Sequence, residues 1–422
     1  MSFREWKFIK LGEIGTIITG KTPSTKNEDN FGNKYPFITP RDMDGQKRIV
    51  DFTERYLSQQ GLESVSKQVL DGISICVSCI GSDMGKVILA RTKCVTNQQI
   101  NSITSIKEDY DPFFIYYSLK PLKEYFHKIA GGSTMPIINK SKFSQIEILV
   151  PPLKEQKAIA HILSTLDEKI ELNNKINKTL EDIAQAIFKH WFVDFEFPNE
   201  NGEPYKSSGG EMVESELGMI PKGWEVKSLD QIADFLNGLA MQKYRPKDGE
   251  QGIPVIKIKE LRQGFTDNSS DLCSKEIDPK YIVNDGDIIF SWSGSLLVDL
   301  WCGGKCGLNQ HLFKVSSKEY PRWFYYHWIK LHLDRFINIA KSKATTMGHI
   351  KRQDLSDSLV VIPDESLFGK ANSVLSPLVE KQVELKIESR KLSELRNTLL
   401  PKLMSGEIRV PLDQEGDCEE VS

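Results

Sequence analysis

One short segment near the start of the chain has the residue types of a phosphate-binding loop. Gly15 to Thr22 reads Gly-Thr-Ile-Ile-Thr-Gly-Lys-Thr, which fits the pattern G-x-x-x-x-G-K-[ST] of nucleotide-binding proteins. In such a loop a helix starts at the Lys-Thr pair and points its N-terminus at the phosphates. Here the polar run from Pro23 to Asn30 follows, which is typical of a loop. The agreement with the phosphate-loop pattern is therefore interpreted as a chance match. A P-loop nucleoside triphosphatase that uses Gly15 to Thr22 is kept as an alternative function.

Two other sets of residues have the types found in metal sites. Asp364, Glu384 and Lys386 could serve a metal-dependent nuclease, in which carboxylates bind the cation and a lysine orients water. However, Glu384 and Lys386 flank Leu385 in a heptad pattern, which predicts a solvated helix face. Four cysteines could form a thiolate zinc site, but they occupy non-equivalent places in the two halves of the chain, and core positions are favoured. These are Cys76, Cys79, Cys302 and Cys306. No catalytic residue and no metal site is predicted.

Polar and basic loop residues recur at matching places in the two halves of the chain. Gly131 to Lys140 reads GGSTMPIINK, and Ser342 to Arg352 reads SKATTMGHIKR. Hydroxyl groups, backbone N–H groups and cations can contact phosphate oxygens, and Asn, Lys and Arg side chains can reach base edges. An ordinary polar turn before a strand is the competing interpretation at each position.

These loops belong to a duplication that runs through the whole chain. Lys93 to Gln98 returns 212 residues later as Lys305 to Gln310, and the same offset carries Leu163 to Leu166 onto Leu375 to Leu378. Each copy, at about 200 residues, is far longer than a solenoid unit. The sequence therefore predicts two similar domains, each followed by its own helix.

Within each copy, short apolar runs separated by turn residues predict a mixed α/β domain. In the first copy Tyr35–Ile38, Ile73–Val77 and Gln145–Val150 have strand patterns, and Phe113–Leu119 has a helix pattern. Pro151 and Pro152 end this domain, because proline suits the entrance of a helix and not a central strand.

Heptad spacing then predicts a long coiled-coil helix in each copy, about 37 residues and about 55 Å long at 1.5 Å per residue. In the first helix Ile162, Ile176 and Ile183 take the interleaved seam positions. Asn173 is a polar seam residue of the kind that fixes register and partner number, and Leu385 stands at its place in the second helix. The predicted seam comprises Ile159, Leu166, Asn173, Leu180 and Ile187 in the first helix and Leu378, Leu385, Leu392 and Leu399 in the second.

Changes in composition place the domain boundaries. The segment between the copies is rich in Gly, Pro, Ser and Asn, which predicts a connector with no core of its own. The predicted order is a first domain at 1–152, a spacer helix at 153–192, a linker at 193–223, a second domain at 224–363, a second spacer helix at 364–410 and an acidic tail at 411–422.

The composition is that of a globular protein with two or more cores, since 39% of the 422 residues are hydrophobic and 27% are charged. The net charge is −3, but removing the five acidic residues of the last ten turns it into +2, so any basic face must be local. No signal-peptide pattern and no membrane-span pattern is found, which predicts a cytoplasmic location with reduced cysteines.

Four segments have the most specific sequences: Lys154 to Ala160, Trp191 to Phe195, Leu217 to Trp224 and Arg396 to Ile408. With the domain layout, they resemble the specificity subunit of type I restriction-modification systems, and the resemblance covers nearly the whole chain. It implies two target-recognition domains that each read one half of a bipartite double-stranded DNA site, held apart by two antiparallel helices. A non-catalytic coiled-coil scaffold that does not read DNA remains the alternative.

The resemblance also implies that the chemistry belongs to partners. Methylation subunits, expected to be two, would dock on the helices and carry AdoMet, and restriction subunits would bring cleavage driven by ATP with Mg. No cofactor is expected in this chain. The residues chosen as DNA contacts are Lys21, Thr22, Arg41, Ser133, Thr134 and Lys140 in the first domain and Lys257, Lys259, Lys343, Thr345, His349 and Lys351 in the second.

Overall fold

The structure, a computed structural model, describes residues 6–43, 47–50, 52–131, 136–342 and 348–411. The chain divides into two compact units. The first combines Met1–Glu171 with Leu392–Ser422, and the second is Leu172–Lys391. Each unit therefore contains one domain together with a part of each long helix.

The first unit is built from short strands and short helices. A four-stranded antiparallel sheet has the order β2-β10-β7-β8, and a five-stranded sheet has the order β3-β5-β4-β9-β6, while β1 pairs with β11. The strands are β1 Lys7–Lys10, β2 Thr16–Thr19, β3 Phe31–Gly32, β4 Tyr35–Ile38, β5 Arg55–Leu57, β6 Val69–Leu70, β7 Ser74–Ser78, β8 Val87–Ala90, β9 Cys94–Thr96, β10 Ile100–Thr104 and β11 Glu147–Val150, and the helices are α1 Leu11–Ile14, α2 Gln59–Ser64, α3 Pro112–Leu119, α4 Lys123–Ala130 and α5 Lys140–Ser144.

The first long helix, α6 Leu153–Phe192, runs from the first unit into the second. The second unit then repeats the strand arrangement of the first, with one sheet in the order β15-β22-β19-β20 and another in the order β17-β16-β21-β18. Its elements are β12 Met212–Ser215, β13 Gly218–Pro221, β14 Glu225–Ser228, α7 Leu229–Ile232, β15 Asp234–Asn237, β16 Ile253–Ile256, α8 Ile258–Gln263, β17 Leu272–Cys273, β18 Ile282–Val283, β19 Ile288–Ser291, β20 Leu297–Leu300, β21 Cys306–Leu308, β22 Leu312–Ser316, α9 Arg322–Ser342, α10 Arg352–Ser356, β23 Leu359–Ile362 and α11 Glu365–Met404.

The two-copy mixed fold predicted from the sequence is confirmed. In both units a parallel strand pair lies inside the second sheet, β4 beside β9 in the first and β16 beside β21 in the second. The predicted strand at Tyr35–Ile38 is β4, and the predicted helix at Phe113–Leu119 is α3, which begins one residue earlier. Asp111 caps α3, since its Oδ1 accepts a hydrogen bond of 2.8 Å from the Phe114 N–H.

Each domain core includes one face of the long helices. In the first unit Phe114 of α3 and Ile75 of β7 share a buried cluster with Ile159 and Leu163 of α6 and Leu403 of α11. Burial of these side chains away from water contributes about 1.5–3 kcal/mol each. The domain and the helix segments of its unit therefore share one hydrophobic core.

The long helices have 40 residues each, about 60 Å at 1.5 Å per residue. Within each unit they run antiparallel: Asp167 pairs with Arg396 in the first, and Asn173 with Glu388 in the second. The prediction that Ile162, Ile176 and Ile183 take the interleaved seam positions of α6 was wrong. Ile162 is half-buried and Ile176 and Ile183 are exposed, whereas the positions one residue later are buried. The positions that take their place are Leu163, Ile170, Asn177 and Ala184.

The other predicted seam residues, five on α6 and four on α11, lie on the packed sides of the two helices. Ile159, Asn173 and Leu385 are buried, and the others are half-buried. Asn173 donates a hydrogen bond of 2.8 Å from Nδ2 to Glu388 Oε2. The half-buried members are Leu166, Leu180, Ile187, Leu378, Leu392 and Leu399.

The segment between the copies is more ordered than the connector predicted from composition. Phe197 and Ile220 are buried in the core of the second unit, and Phe197 stacks on Trp224 with ring centroids 5.3 Å apart. Aromatic side chains among the Gly, Ser and Asn residues explain the difference, because they bury apolar area that the average composition hides. Along the described part of the chain, no helix is both long and apolar enough to cross a membrane.

Candidate nucleic-acid interface

In the first unit, backbone hydrogen bonds join three loops at one end of the sheets. The Cys79 N–H donates to the Gln99 carbonyl at 2.8 Å, and the Ile138 N–H donates to the Cys79 carbonyl at 3.0 Å. The Gly81 N–H donates to the Pro136 carbonyl at 3.2 Å. We call this set of bonded backbone, Cys79–Gly81 with Gln99 and 136–138, the loop frame of the first unit. It holds the surrounding loops in a fixed arrangement.

The loop after β2 joins the same end through a close backbone contact. The Gly20 and Lys21 N–H groups donate to the carbonyls of Ile100 and Thr96 at 3.1 and 2.9 Å. A Cβ at Gly20 would lie 2.2 Å from the Thr96 oxygen, so only glycine fits. Thr22 Oγ1 is 2.7 Å from Gln98 Oε1, and no helix begins at Lys21. The local geometry is therefore not that of a phosphate-binding loop.

Two more cations predicted as DNA contacts, Arg41 and Lys140, lie beside this frame. The Asn97 N–H donates to the Ile38 carbonyl at 2.9 Å, which brings the turn with Arg41 to the same end. Lys140 begins α5, directly after the frame, and Asn139 caps that helix. Lys21, Arg41 and Lys140 are exposed and Thr22 is half-buried, and each lies on a segment that is bonded to the frame or adjoins it. Two chosen contacts, Ser133 and Thr134, lie outside the described residues.

The second unit contains the same loop frame with different side chains. The Trp292 N–H donates to the His311 carbonyl at 3.4 Å, and the Ile350 N–H donates to the Trp292 carbonyl at 3.0 Å. The Gly294 N–H donates to the Gly348 carbonyl at 2.8 Å. Its frame is Trp292–Gly294 with His311 and 348–350. A Cβ at Gly238 would lie 2.2 Å from the Asn309 oxygen, which repeats the close contact found at Gly20.

Two of the lysines predicted as DNA contacts in the second unit have acidic neighbours. Lys257 forms an ion pair with Asp271, and the hydrogen bond from Lys257 lowers the pKa of that carboxyl. Lys259 lies 2.6 Å from Ser269 Oγ and 3.5 Å from Asp267 Oδ2. The hydrogen bond from Ser269, more than Lys259, lowers the pKa of Asp267 to about 2. Much of the positive charge of these two lysines is therefore balanced locally.

His349 and Lys351 lie at the second loop frame itself. His349 is exposed, and Lys351 is the residue before α10, where its N–H donates to Asp354 Oδ2 at 2.7 Å. Two other chosen residues, Lys343 and Thr345, lie outside the described residues.

An aromatic and imidazole cluster at the second frame was missed by the sequence reasoning. Trp292 donates from Nε1 to Asn237 Oδ1 at 3.0 Å, and its ring lies 6.0 Å from that of His311 and 6.3 Å from that of His349. Ser293 Oγ is 3.0 Å from His311 Nδ1. The available signal was Trp-Ser-Gly after the apolar run of β19, where the first copy has Cys-Ile-Gly after β7.

Partly buried ion pairs join the domains to the helices within each unit. In the first, Tyr117 donates to Asp167 Oδ2 at 2.6 Å, and Arg396 pairs with the other oxygen of Asp167. In the second, Arg390 contacts both oxygens of Asp285 at 2.6 and 2.9 Å. Burial opposes ionisation of Asp285, but the hydrogen bonds from Arg390 and the Gly304 N–H, together with the positive charge of Arg390, outweigh it and lower the pKa of that carboxyl. The bidentate geometry fixes direction as well as distance.

The residues that resembled a nuclease site have separate structural roles. Asp364 caps α11 by accepting a bond of 3.0 Å from the Leu367 N–H. Glu384 pairs with Lys381 at 2.9 Å, and Lys386 pairs with Asp299 at 2.7 Å. They do not converge on one point.

The cysteines of the proposed thiolate site are buried core residues. Burial raises the pKa of Cys76 to about 12 and that of both Cys79 and Cys302 to about 11, which favours the neutral thiol. Cys306 is buried as well. Within the described ranges, no cluster of three or more His, Cys, Asp or Glu side chains is arranged to hold a metal ion.

Two similar domains in one chain, each with its own loop frame and each packed on a part of both long helices within its unit, define a protein with two equivalent recognition domains. The family model for the type I restriction modification DNA specificity domain matches residues 4–182 and 221–393. The chain belongs to this family. Its role in such a system is DNA specificity, and it is not a catalytic subunit.

Individual relatives agree with this assignment. The chain is 30% identical over 416 residues to the type I restriction enzyme MjaIX specificity subunit of Methanocaldococcus jannaschii, covering 96% of this chain and 94% of the relative. It is 26% identical to the HindI specificity subunit of Haemophilus influenzae, covering 68% and 74%. The fold is similar to the type I S subunit from M. genitalium, with a TM-score of 0.56, 18% identity and coverage of 95% and 96%.

Proposed function

We propose that each domain reads one half of a bipartite double-stranded DNA site through its loop frame. The observation that carries this proposal is the repeated frame itself: the same backbone hydrogen bonds place Gln99 and the exposed Ile137 in one unit where His311 and the exposed His349 stand in the other. Equal backbones with unlike side chains suit two unlike half-sites. The exposed cations Lys21, Arg41 and Lys140 would contact phosphates and set position without specifying bases.

The long helices supply the spacing between the half-sites in this proposal. A helix is stiff along its axis, and α6 and α11 are each packed into the domain cores through buried residues. The ion pairs of Asp167 with Arg396 and of Asp285 with Arg390 oppose sliding of a domain along its helix. A fixed gap in the DNA site would follow.

The face of α6 beside the seam offers a docking surface for a methylation subunit. Leu172, Ile176 and Ile183 are 50%, 37% and 43% exposed, and their spacing puts them within about 40° of one another around the helix. Exposed apolar residues in a line are typical of an interaction site. We expect two methylation subunits carrying AdoMet, with ATP and Mg used by restriction subunits of the assembly.

The test is selection of DNA fragments by the assembled complex. Genomic duplex fragments would be offered to methylation subunits with and without this chain, at several salt concentrations. We expect a split motif to be enriched only when the chain is present, with affinity falling as salt rises. Equal enrichment without the chain, or no salt-dependent binding with it, would instead support the scaffold alternative.

A further inference from the structure

The loop frames allow residues of the two domains to be matched one to one. Ile80 forms an antiparallel bridge with Ile137, and Ser293 forms the same bridge with His349. The bonds from Ile138 to Cys79 and from Ile350 to Trp292 fix the same register. Ile137 and His349 therefore occupy one structural position in the two domains.

At this position the first domain presents only an apolar side chain. Ile137 is 48% exposed, whereas Ile138 behind it is buried. The nearby polar groups are used inside the frame: Thr19 Oγ1 is 2.6 Å from Asn101 Oδ1, and Asn101 Nδ2 donates to the Ile138 carbonyl at 3.0 Å. Ile137 can therefore discriminate between bases only by shape and apolar contact.

The second domain presents a hydrogen-bonding ring at the same place. His349 is exposed and lies edge-on to Trp292, at an interplanar angle of 82°. Trp292 is held by its bond to Asn237, and His311 by its contact with Ser293. An imidazole carries a donor and an acceptor, or two donors when protonated. It is therefore suited to the polar edge of a base.

We propose that Ile137 and His349 are equivalent specificity-determining residues of the two domains. Ile137 contacts the methyl group of a thymine, the base-edge feature that an apolar side chain reads in the major groove. His349 hydrogen-bonds the major-groove edge of a purine, where N7 is an acceptor in both adenine and guanine. This inference rests on the proposed reading of one half-site by each domain.

The experiment is selection of split motifs from genomic fragments by complexes containing Ile137→Ala or His349→Ala. We expect Ile137→Ala to reduce the thymine preference at one position of one half-site by about fourfold, the equivalent of about 0.8 kcal/mol for one CH₂ group. His349→Ala should reduce a purine preference in the other half-site by about tenfold. In each case the rest of the motif stays the same.

Matched controls use an exposed residue of the same type. Ile73→Ala changes an isoleucine that is 39% exposed before β7, at the strand end opposite the frame, and His190→Ala changes an exposed histidine at the end of α6. Neither control should alter the motif. If His349→Ala abolishes enrichment, His349→Gln, which keeps a donor and an acceptor, must restore it with the purine preference.

The outcomes separate this inference from the proposed function. A chain-dependent split motif that is identical in the unmodified complex and in both alanine variants would overturn the roles of Ile137 and His349 and leave the function standing. Failure of His349→Gln to restore enrichment would overturn the role of His349. Absence of any chain-dependent motif with the unmodified complex would overturn the proposed function, and the inference with it.

Discussion

Asp167 is the residue that most directly ties the first domain to both long helices of its unit. It lies on α6, accepts a hydrogen bond from Tyr117 of the domain and pairs with Arg396 of α11. The Asp167 side chain is 6% exposed, so its negative charge is stabilised by these partners rather than by water. Removing one member of a buried ionic group leaves the other without compensation, which is strongly destabilising.

We therefore predict that Asp167→Ala lowers the free energy of unfolding of the first unit by about 3–5 kcal/mol. Denaturant titration of the full chain checks this value. The matched control is Asp182→Ala on the same helix, because Asp182 pairs with Lys178 at 2.6 Å with both side chains largely exposed. That change should cost less than about 1 kcal/mol. Equal losses in the two variants would contradict the role given to Asp167.

His327 predicts a pH dependence of stability in the second unit. The ring stacks on Phe188 with centroids 5.2 Å apart, and burial lowers its pKa from 6.5 to about 4. The unfolded chain therefore binds a proton at a higher pH than the folded chain. Stability should be complete above about pH 6.5 and should fall by up to about 3 kcal/mol as the pH falls to about 4.

Thermal unfolding between pH 4 and pH 7 measures this effect. His327→Gln should have a flatter pH dependence than the natural chain, whatever its absolute stability, because the titrating ring is gone. His190→Gln, at an exposed position, should retain the natural slope. A natural slope in His327→Gln would show that other groups cause the pH dependence.

At the scale of elements, the long helices show what spacing can predict and what it cannot. The heptad series starting at Ile159 predicted the helix and its packed side, because apolar repeats follow the helix period. Ile176 looked equally apolar, but it is exposed and the position one residue later, Asn177, is buried. Which neighbouring face meets the partner depends on where that partner lies, and the sequence of one helix does not contain this information.

The exposed stripe on α6 leads to a prediction about docking. Ile176→Lys should weaken association with the methylation subunit by at least about tenfold, because it puts a charge in an apolar contact, and it should leave the free energy of unfolding nearly unchanged. Titration of the purified subunits measures both the loss and any change in stoichiometry. Lys178→Ala, at an exposed position on the same helix, is the control. Undiminished association would exclude this face of α6.

The helices also lead to a prediction about the DNA gap. Inserting four residues into α6 adds about 6 Å, the rise of about two base pairs, and turns the following residues by only about 40°. We expect the gap between half-sites to lengthen by at most about two base pairs, with both half-sites unchanged. A four-residue insertion after Gly202, in an exposed turn of the linker, should leave the gap unchanged. Motif sequencing reads both results, and an unaltered gap in the α6 variant would disprove the spacing role.

At the scale of the whole molecule, the duplication was visible in the sequence, while the loop frames were not. The repeat of Lys93 to Gln98 at Lys305 to Gln310 predicted two similar domains. The positions that matter at the frames, such as Cys79 and Trp292, have unlike side chains and share only backbone hydrogen bonds. Similar residues reveal a shared scaffold, but positions that differ between the copies require coordinates before they can be matched.

The reading of a bipartite DNA site by the two domains is tested most directly by sequencing DNA methylation in cells that contain this chain with its methylation subunit and in cells in which only this chain is deleted. We predict a methylated split motif, two unlike half-sites separated by a fixed gap, that disappears on deletion. Two domains with equal frames and unlike side chains require both halves to be lost together. The same set of methylated motifs in both kinds of cell would contradict the reading of a bipartite site by this chain.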